Sequence, residues 1–255
     1  MTSFKPHRQS EEGFVLVSAI WLLLLGAAVV VVIQLTVFNR AQSIAFDREQ
    51  LERRLALETA YETAVADLLF NGPRSSFAQL PAKSNYNLNG KAITVLVVSE
   101  SGKLDINRAD PGLIDRALMG LGVDSSTRAA FLGTIAATRI KGANIATMPE
   151  LEAAWQEAGL NSIVGRNNSF CAAKYLTVYS GLSRPQSGQM MPELARAIGE
   201  SHQTADAGVQ FGSAMRITIA TAEGHPLIVV IRITGRLDNA IDVLDWHRGS
   251  DCATT

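Results

Sequence analysis

Histidine and cysteine are nearly absent from these 255 residues: there are four of the first and two of the second. His7, His202, His225 and His247 show no metal-binding pair spacing, and the sequence holds no HExxH, GxSxG or Walker loop. Asp245 and His247 are two apart, so on a strand they share a face and can hydrogen-bond, but no nucleophile completes a catalytic set. The chain is therefore not expected to be an enzyme, and each histidine is expected on the surface or in a turn. Neither sign of charge is in excess, with 23 Lys and Arg against 24 Asp and Glu. That balance excludes a strongly basic nucleic-acid binder, and 47 % apolar residues exclude a disordered tail. A calcium loop fails as well. Asp105 and Asn107 imitate its start, but Ala109 occupies the next ligand position and Asp110 stands where the loop needs glycine.

The largest local deficit is of charge. No residue between Glu12 and Arg40 carries one, and Phe14 to Ile33, a run of 20 residues, has Ser18 as its only clearly polar side chain. A helix of that length rises roughly 30 Å, the thickness of a bilayer's hydrocarbon core, so a membrane helix is expected. A cleaved secretory signal has a shorter apolar core, about 7 to 15 residues, and ends in a small-x-small site that is missing after Ile33. Lys5, His7 and Arg8 precede the span together with Glu11 and Glu12, and Arg40 and Arg48 follow it, so flanking charge leaves the orientation open.

Glycine and proline are absent from Asn39 to Phe70, a stretch rich in Glu, Arg, Leu and Ala. Ile44, Leu51, Leu55, Ala60, Tyr61, Ala64, Val65 and Leu68 recur mostly at spacings of three, four and seven, which predicts a helix with one apolar stripe facing a globular domain. Nothing breaks the chain between the two segments, so one helix from Phe14 to Phe70, on the order of 85 Å long, is expected, stopped by Asn71-Gly72-Pro73. Ala92–Ser99 reads as a β-branched strand, and Ala214–Thr221, Leu227–Thr234 and Ala240–Trp246 read as three more, joined by turn-rich connections into an antiparallel meander. Between the first strand and the last three lie about a hundred residues of helical character. There Asp110-Pro111 predicts an N-cap with proline at the first helical position, Thr147 and Glu150 a capping box, and Gly159 a helix end.

Gly13 followed by Phe14 at the head of an apolar helix, behind a short charged leader, resembles the processing site of type IV pilins and pseudopilins. That resemblance implies cleavage after Gly13 by a prepilin peptidase and methylation of the new N-terminal residue, Phe14. The fifth mature position, usually Glu in the superfamily, is Ser18, as in the K-type minor pseudopilins of the type II secretion system (general secretion pathway K family), which lack the Glu and carry a helical insert. Gly102-Lys103-Leu104-Asp105-Ile106-Asn107-Arg108-Ala109 is similar to that family's GK-(L/I)-(D/N)-(L/I)-N-x-A stretch, and Tyr175–Ser180 resembles its later LTV-x-S strand. The likeness runs from Gly13 to Val243–Trp246 and rests on the order of these motifs. It implies an α+β fold in which a long N-terminal helix packs on an antiparallel sheet carrying a large all-helical insert. The parts would be a leader over 1–13, a helix over 14–70 with 14–38 in the membrane, a pilin-like domain of 71–102 and 201–255, and the insert over 103–200.

The same resemblance implies a tip subunit of the secretion pseudopilus, single-pass in the bacterial inner membrane with its C-terminal domain in the periplasm. Implied partners are I-type and J-type minor pseudopilins, the prepilin peptidase and inner-membrane lipid. Some K-type members bind calcium in the insert, so the resemblance leaves a calcium site open, with its ligands in this chain unknown. Ser18 suits a tip position, since a lipid-buried Glu would need the N-terminal amine of a neighbour to pair with; it equally suits a serine bonded to its own backbone. A rival reading takes Ile106–Ala109 and Leu118-Met119-Gly120-Leu121-Gly122 as a helix-hairpin-helix DNA-binding unit in a single-pass membrane protein. A minor pilin of a type IV pilus is the other alternative. Residues 103–200 hold ten Lys or Arg and nine Asp or Glu, so they lack the basic face DNA requires, and Asp124 would repel a phosphate. Cys171 and Cys252 fall on the exported side, where either one disulfide or two thiols is compatible with the sequence.

Overall fold

The computed structural model describes residues 11–88, 90–159, 172–201, 210–222, 224–236 and 238–249, without the side chains of 11–15, 41 and 45. The chain divides into two compact units, 1–55 and 56–255. One helix, α1 (Glu11–Asn71), enters both. It ends where the sequence places its breakers. Gly72 takes a left-handed φ of 46°, and Asp67 accepts hydrogen bonds from the Ser75 hydroxyl (2.9 Å) and the Ser76 N–H (2.8 Å), which turns the chain away from the helix axis.

Within the second unit the strands are β1 (Ala82–Leu88), β2 (Lys91–Ser99), the two-residue pair β3 (Leu104–Asp105) and β4 (Leu176–Thr177), then β5 (Ala214–Thr221), β6 (Leu227–Ile233) and β7 (Ile241–Arg248). The helices between them are α2 (Pro111–Gly120), α3 (Ser125–Ile140), α4 (Met148–Glu157), the single turn α5 (Ala172–Tyr175) and α6 (Pro192–Ile198). The main sheet has five strands in the order β1-β2-β5-β6-β7, all neighbours antiparallel. The expected meander of the last three strands is present. β1 was not expected from the sequence, so the insert follows the second strand rather than the first. The insert is also not all-helical, because β3 and β4 pair in parallel inside it.

The sheet is the middle layer of three, and alternation along each strand sends side chains to opposite cores. Ala56, Leu57, Ala60, Tyr61, Ala64, Val65 and Leu68 of α1 pack on Ile93, Val95 and Val97 of β2, Met215, Ile217 and Ile219 of β5, and Val229 and Ile231 of β6. Ala214 and Val230, which point the other way, join the core of the insert with Ile114, Leu118, Phe131, Met148, Leu151 and Trp155. β5 and β6 are therefore buried almost continuously, whereas β2 alternates buried with half-buried residues and β1 half-buried with exposed ones. The apolar stripe of α1 meets the sheet from Ala60 to Leu68 as expected. The earlier members of the stripe, Ile44, Leu51 and Leu55, are 66 %, 55 % and 52 % exposed.

Local chemistry places the insert helices. The Asp110 carboxylate accepts from the N–H groups of Gly112 and Leu113 ahead of Pro111, and the Thr147 hydroxyl accepts from Glu150 N–H while Glu150 accepts from Ala146 N–H. Gly159 has φ 76° just beyond α4, where the sequence predicts a stop. α2 and α6 approach so closely that a Cβ on Gly120 would lie 2.5 Å from the Ala197 Cα, whereas a Cβ on Gly133 of α3 would meet nothing within 4 Å. The two glycines therefore predict opposite signs. Gly120→Ala lowers stability by about 1–3 kcal/mol through overpacking, and Gly133→Ala raises it by roughly 0.5–1 kcal/mol through helix propensity, both read as midpoint shifts in urea unfolding.

Candidate anchor and insert hub

One N-terminal helix is long and apolar enough to cross a membrane. Its apolar side chains lie open, as with Trp21 at 64 % and Leu23 at 74 % exposed, and none of that window is buried by protein. Water solvates such an apolar surface poorly. Gly13 and Phe14 lie in the first turn of α1, and Ser18 follows about one turn on, half-buried. Cys171 and Cys252 lie outside the described residues, so their pairing is not described.

The motif from Gly102 to Ala109 forms a structural hub. The chain needs glycine at 102, since a Cβ there would stand 2.0 Å from the Gln189 carbonyl oxygen. Asp105 is buried, and both its oxygens are occupied. Oδ1 accepts from the N–H groups of Asn107 (2.9 Å) and Arg108 (3.2 Å), and Oδ2 accepts from Gly181 N–H (2.6 Å) and the Ser180 hydroxyl (3.2 Å). The Asn107 amide donates to the Ile145 carbonyl (2.8 Å) and accepts from the Ile145 N–H (2.9 Å), which clamps the α3–α4 connection. Arg139 donates to the carbonyls of Ile106 and Ala109 (2.9 Å for the second). Among the described residues no group of three or more His, Cys, Asp or Glu stands close enough to hold a metal ion.

α2 and α3 are joined by a short turn at residues 121–124, and its backbone donors are used internally. The N–H groups of Leu121, Gly122 and Val123 donate to the carbonyls of Ala117, Met119 and Leu118. At the start of α3, Asp124 accepts from the Ser126 hydroxyl (2.5 Å) and from the Thr127 hydroxyl (2.7 Å) and N–H (2.9 Å). These bonds, from Ser126 first and Thr127 second, hold its carboxyl well below the usual range. A carboxylate thus sits where a phosphate would have to dock.

Insert and sheet meet at two buried polar joints that the sequence did not reveal. Glu100 is wholly buried, and its Oε1 accepts from Arg216 Nε of β5 (2.7 Å) and from Lys103 Nζ (2.6 Å). Burial alone would raise the Glu100 pKa, but Arg216 and then Lys103 outweigh it and hold the group down to about 2. Burial, reinforced by Arg216, pushes Lys103 down to about 8 despite Glu100 beside it. At the second joint the Tyr179 hydroxyl accepts from Met148 N–H (3.3 Å) and donates to Asp245 Oδ2 (2.7 Å), and Arg232 donates to the Tyr179 carbonyl (2.9 Å). Burial and then the Asp245 carboxylate raise the Tyr179 pKa. The expected Asp245–His247 contact is present at 3.3 Å. In this setting the carboxylate serves a packing tyrosine.

The first joint predicts two pH windows. Glu100 contributes stability that is complete above its ordinary 4.5 and is lost as pH falls toward about 2. Between about 8 and 10.5 the folded Lys103 has released its proton while the unfolded one keeps it, so wild type gains stability with rising pH relative to Lys103→Met. Thermal melts of both proteins from pH 7 to 10.5 measure that difference. Glu100→Gln is expected to cost about 3–5 kcal/mol at neutral pH because it leaves buried cations without their shared carboxylate. No protein-family model matches this chain, and no curated protein is significantly similar to it.

Proposed function

We propose that this protein is a minor pseudopilin of the type II secretion system, K-type, that caps the pseudopilus and helps to initiate its assembly. One observation carries the reading. A single helix, Glu11–Asn71, begins as an exposed apolar span and ends as the packing layer of an antiparallel sheet whose neighbouring strands β2 and β5 are separated in sequence by a helical insert. The exposed residues Ile44, Leu51 and Leu55, spaced seven and four apart, continue the apolar stripe between the two ends and supply a face for neighbouring helices.

Under this reading the function is packing. A prepilin peptidase cuts after Gly13, Phe14 becomes the methylated N-terminus, and the helix moves from inner-membrane lipid into a bundle with I-type and J-type minor pseudopilins, leaving the C-terminal unit in the periplasm. Ser18 asks no amine of a subunit above it, as suits the end of a fibre. No nucleic acid and no cofactor are assigned, and the committed amides of the α2–α3 hairpin support the first of these choices.

Co-expression with a prepilin peptidase is expected to give a chain beginning at N-methylated Phe14, read by mass spectrometry of the membrane fraction; an intact leader contradicts the proposal. Co-purification with I-type and J-type subunits separates the secretion pseudopilus from a type IV pilus. A carboxylate placed in lipid costs about 2.5–3.5 kcal/mol unless paired. Ser18→Glu is therefore expected to move the subunit from the fibre end into its length on immunogold labelling, and label confined to the end would remove this role for Ser18.

A further inference from the structure

Beyond its apolar span, the part of α1 in the first unit carries charges arranged in two ways. Arg48 Nε lies 2.9 Å from Glu52 Oε1 and Arg53 Nη2 lies 3.0 Å from Glu49 Oε1, each pair one turn apart along the helix. Arg40, Asp47 and Arg54 follow a different rule. They are seven residues apart, alternate in sign and are exposed, and neither Arg40 nor Asp47 has an opposite charge three or four positions away in the sequence. Each stands three residues after an exposed apolar residue: Val37, Ile44 and Leu51. Seven residues make nearly two turns. The apolar residues therefore form one line along the helix and the charges a second line beside it, with successive members about 10.5 Å apart.

That interval is too long for Arg40 to meet Asp47 within one helix, and the signs select how a second helix can lie on the apolar line. A parallel neighbour of the same pattern without displacement sets arginine on arginine and aspartate on aspartate. An antiparallel one centred on Asp47 does the same, with Arg40 on Arg54. Displacing the parallel neighbour by one interval sets Arg40 against its acid and keeps the apolar lines in contact. We propose that this face docks the parallel helix of a neighbouring subunit that carries base, acid and base at seven-residue intervals beside an apolar line, displaced along the axis by one interval. Under the pseudopilin reading, on which this rests, both helices are anchored in one membrane and therefore run parallel.

The test uses a second copy of the full chain as the neighbour, because its pattern is known. One tagged copy carries Ile44→Cys and another Leu51→Cys, both with Cys171→Ser and Cys252→Ser, and the two are reconstituted together in lipid vesicles and oxidised. A disulfide needs Cα atoms within about 7 Å, so the displaced arrangement links position 44 to position 51 between copies and leaves 44 out of reach of 44. Asp47→Arg in both copies sets bases on bases and is expected to lower the 44-to-51 yield about threefold or more at low salt, with the difference narrowing at high salt. Arg40→Glu, Asp47→Arg and Arg54→Glu together in both copies exchange the signs, keep the alternation and are expected to restore the yield. A native copy mixed with an exchanged one, both carrying Ile44→Cys, is expected to link 44 to 44 instead. No 44-to-51 link between native copies, an equal 44-to-44 yield, or indifference to Asp47→Arg would overturn the proposal and leave the pseudopilin reading standing. A chain that stays out of the vesicles would overturn both.

Discussion

A chain that leaves a sheet for about a hundred residues and must return to the very next strand has a long loop to close, and here one buried carboxylate stands at the closure. Glu100 follows the last residue of β2, and Arg216 lies opposite Val98 on β5, so the ion pair between them joins two positions 116 residues apart in sequence. Closing a loop costs entropy that grows only logarithmically with length, so an insert of this size is tolerable if its two ends are held together. Glu100 also accepts from Lys103, the first residue of the insert, and thereby sets the direction in which the chain departs. The remaining insert geometry follows from that start. Gly102 lies against Gln189, Ser101 accepts from Gln186 N–H, and β3 pairs with β4 directly afterwards.

This closure explains why the sheet is covered unevenly. The insert leaves and re-enters between β2 and β5 and lies over β5, β6 and β7, so the central strands β5 and β6 are buried almost continuously. β1, at the edge of the sheet, keeps an exposed polar row of Lys83, Asn85 and Asn87, whereas Thr94, Leu96 and Val98 of β2 are half-buried. α1 covers the opposite face. A sheet clamped in this way from both sides has little freedom to shift register, because a slip of one residue would send Val229 and Ile231 to the wrong core and Val230 with them.

The parts of this arrangement that could be read in advance are those that local physics dictates. The span, the uninterrupted helix, the proline and acidic caps of α2 and α4, and the β-branched strands all depend on neighbours within a few residues. β1 escaped because Ala-Lys-Ser-Asn-Tyr-Asn-Leu has poor strand propensity and is made a strand by pairing with β2. A signal was nevertheless available. Asn89-Gly90 stands between residues 88 and 91, which pair, and Gly90 takes φ 77°, as a two-residue hairpin connection requires. The joints at Glu100 and Tyr179 could not be read in this way. Their partners lie 116 and 66 residues away, and nothing in the local pattern around Glu100 distinguishes a wholly buried acid from a turn residue.

The stretch Gly102–Ala109 shows how motif chemistry and motif role can part. Asp105 and Asn107 have the residue types and spacing of cation ligands, and the expected objection was the alanine and aspartate that follow. The stronger objection is the number of donors already present. Asp105 accepts from two backbone N–H groups of its own turn and from Ser180 and Gly181 across the insert, while Asn107 spends both ends of its amide on Ile145. A cation here would have to displace bonds that fix the α3–α4 connection and the chain after β4. Each displaced N–H would then be left without its acceptor in a half-buried turn, at a cost of about 1–3 kcal/mol apiece. The motif is thus better understood as the framework that allows a small helical domain to be built between two adjacent strands.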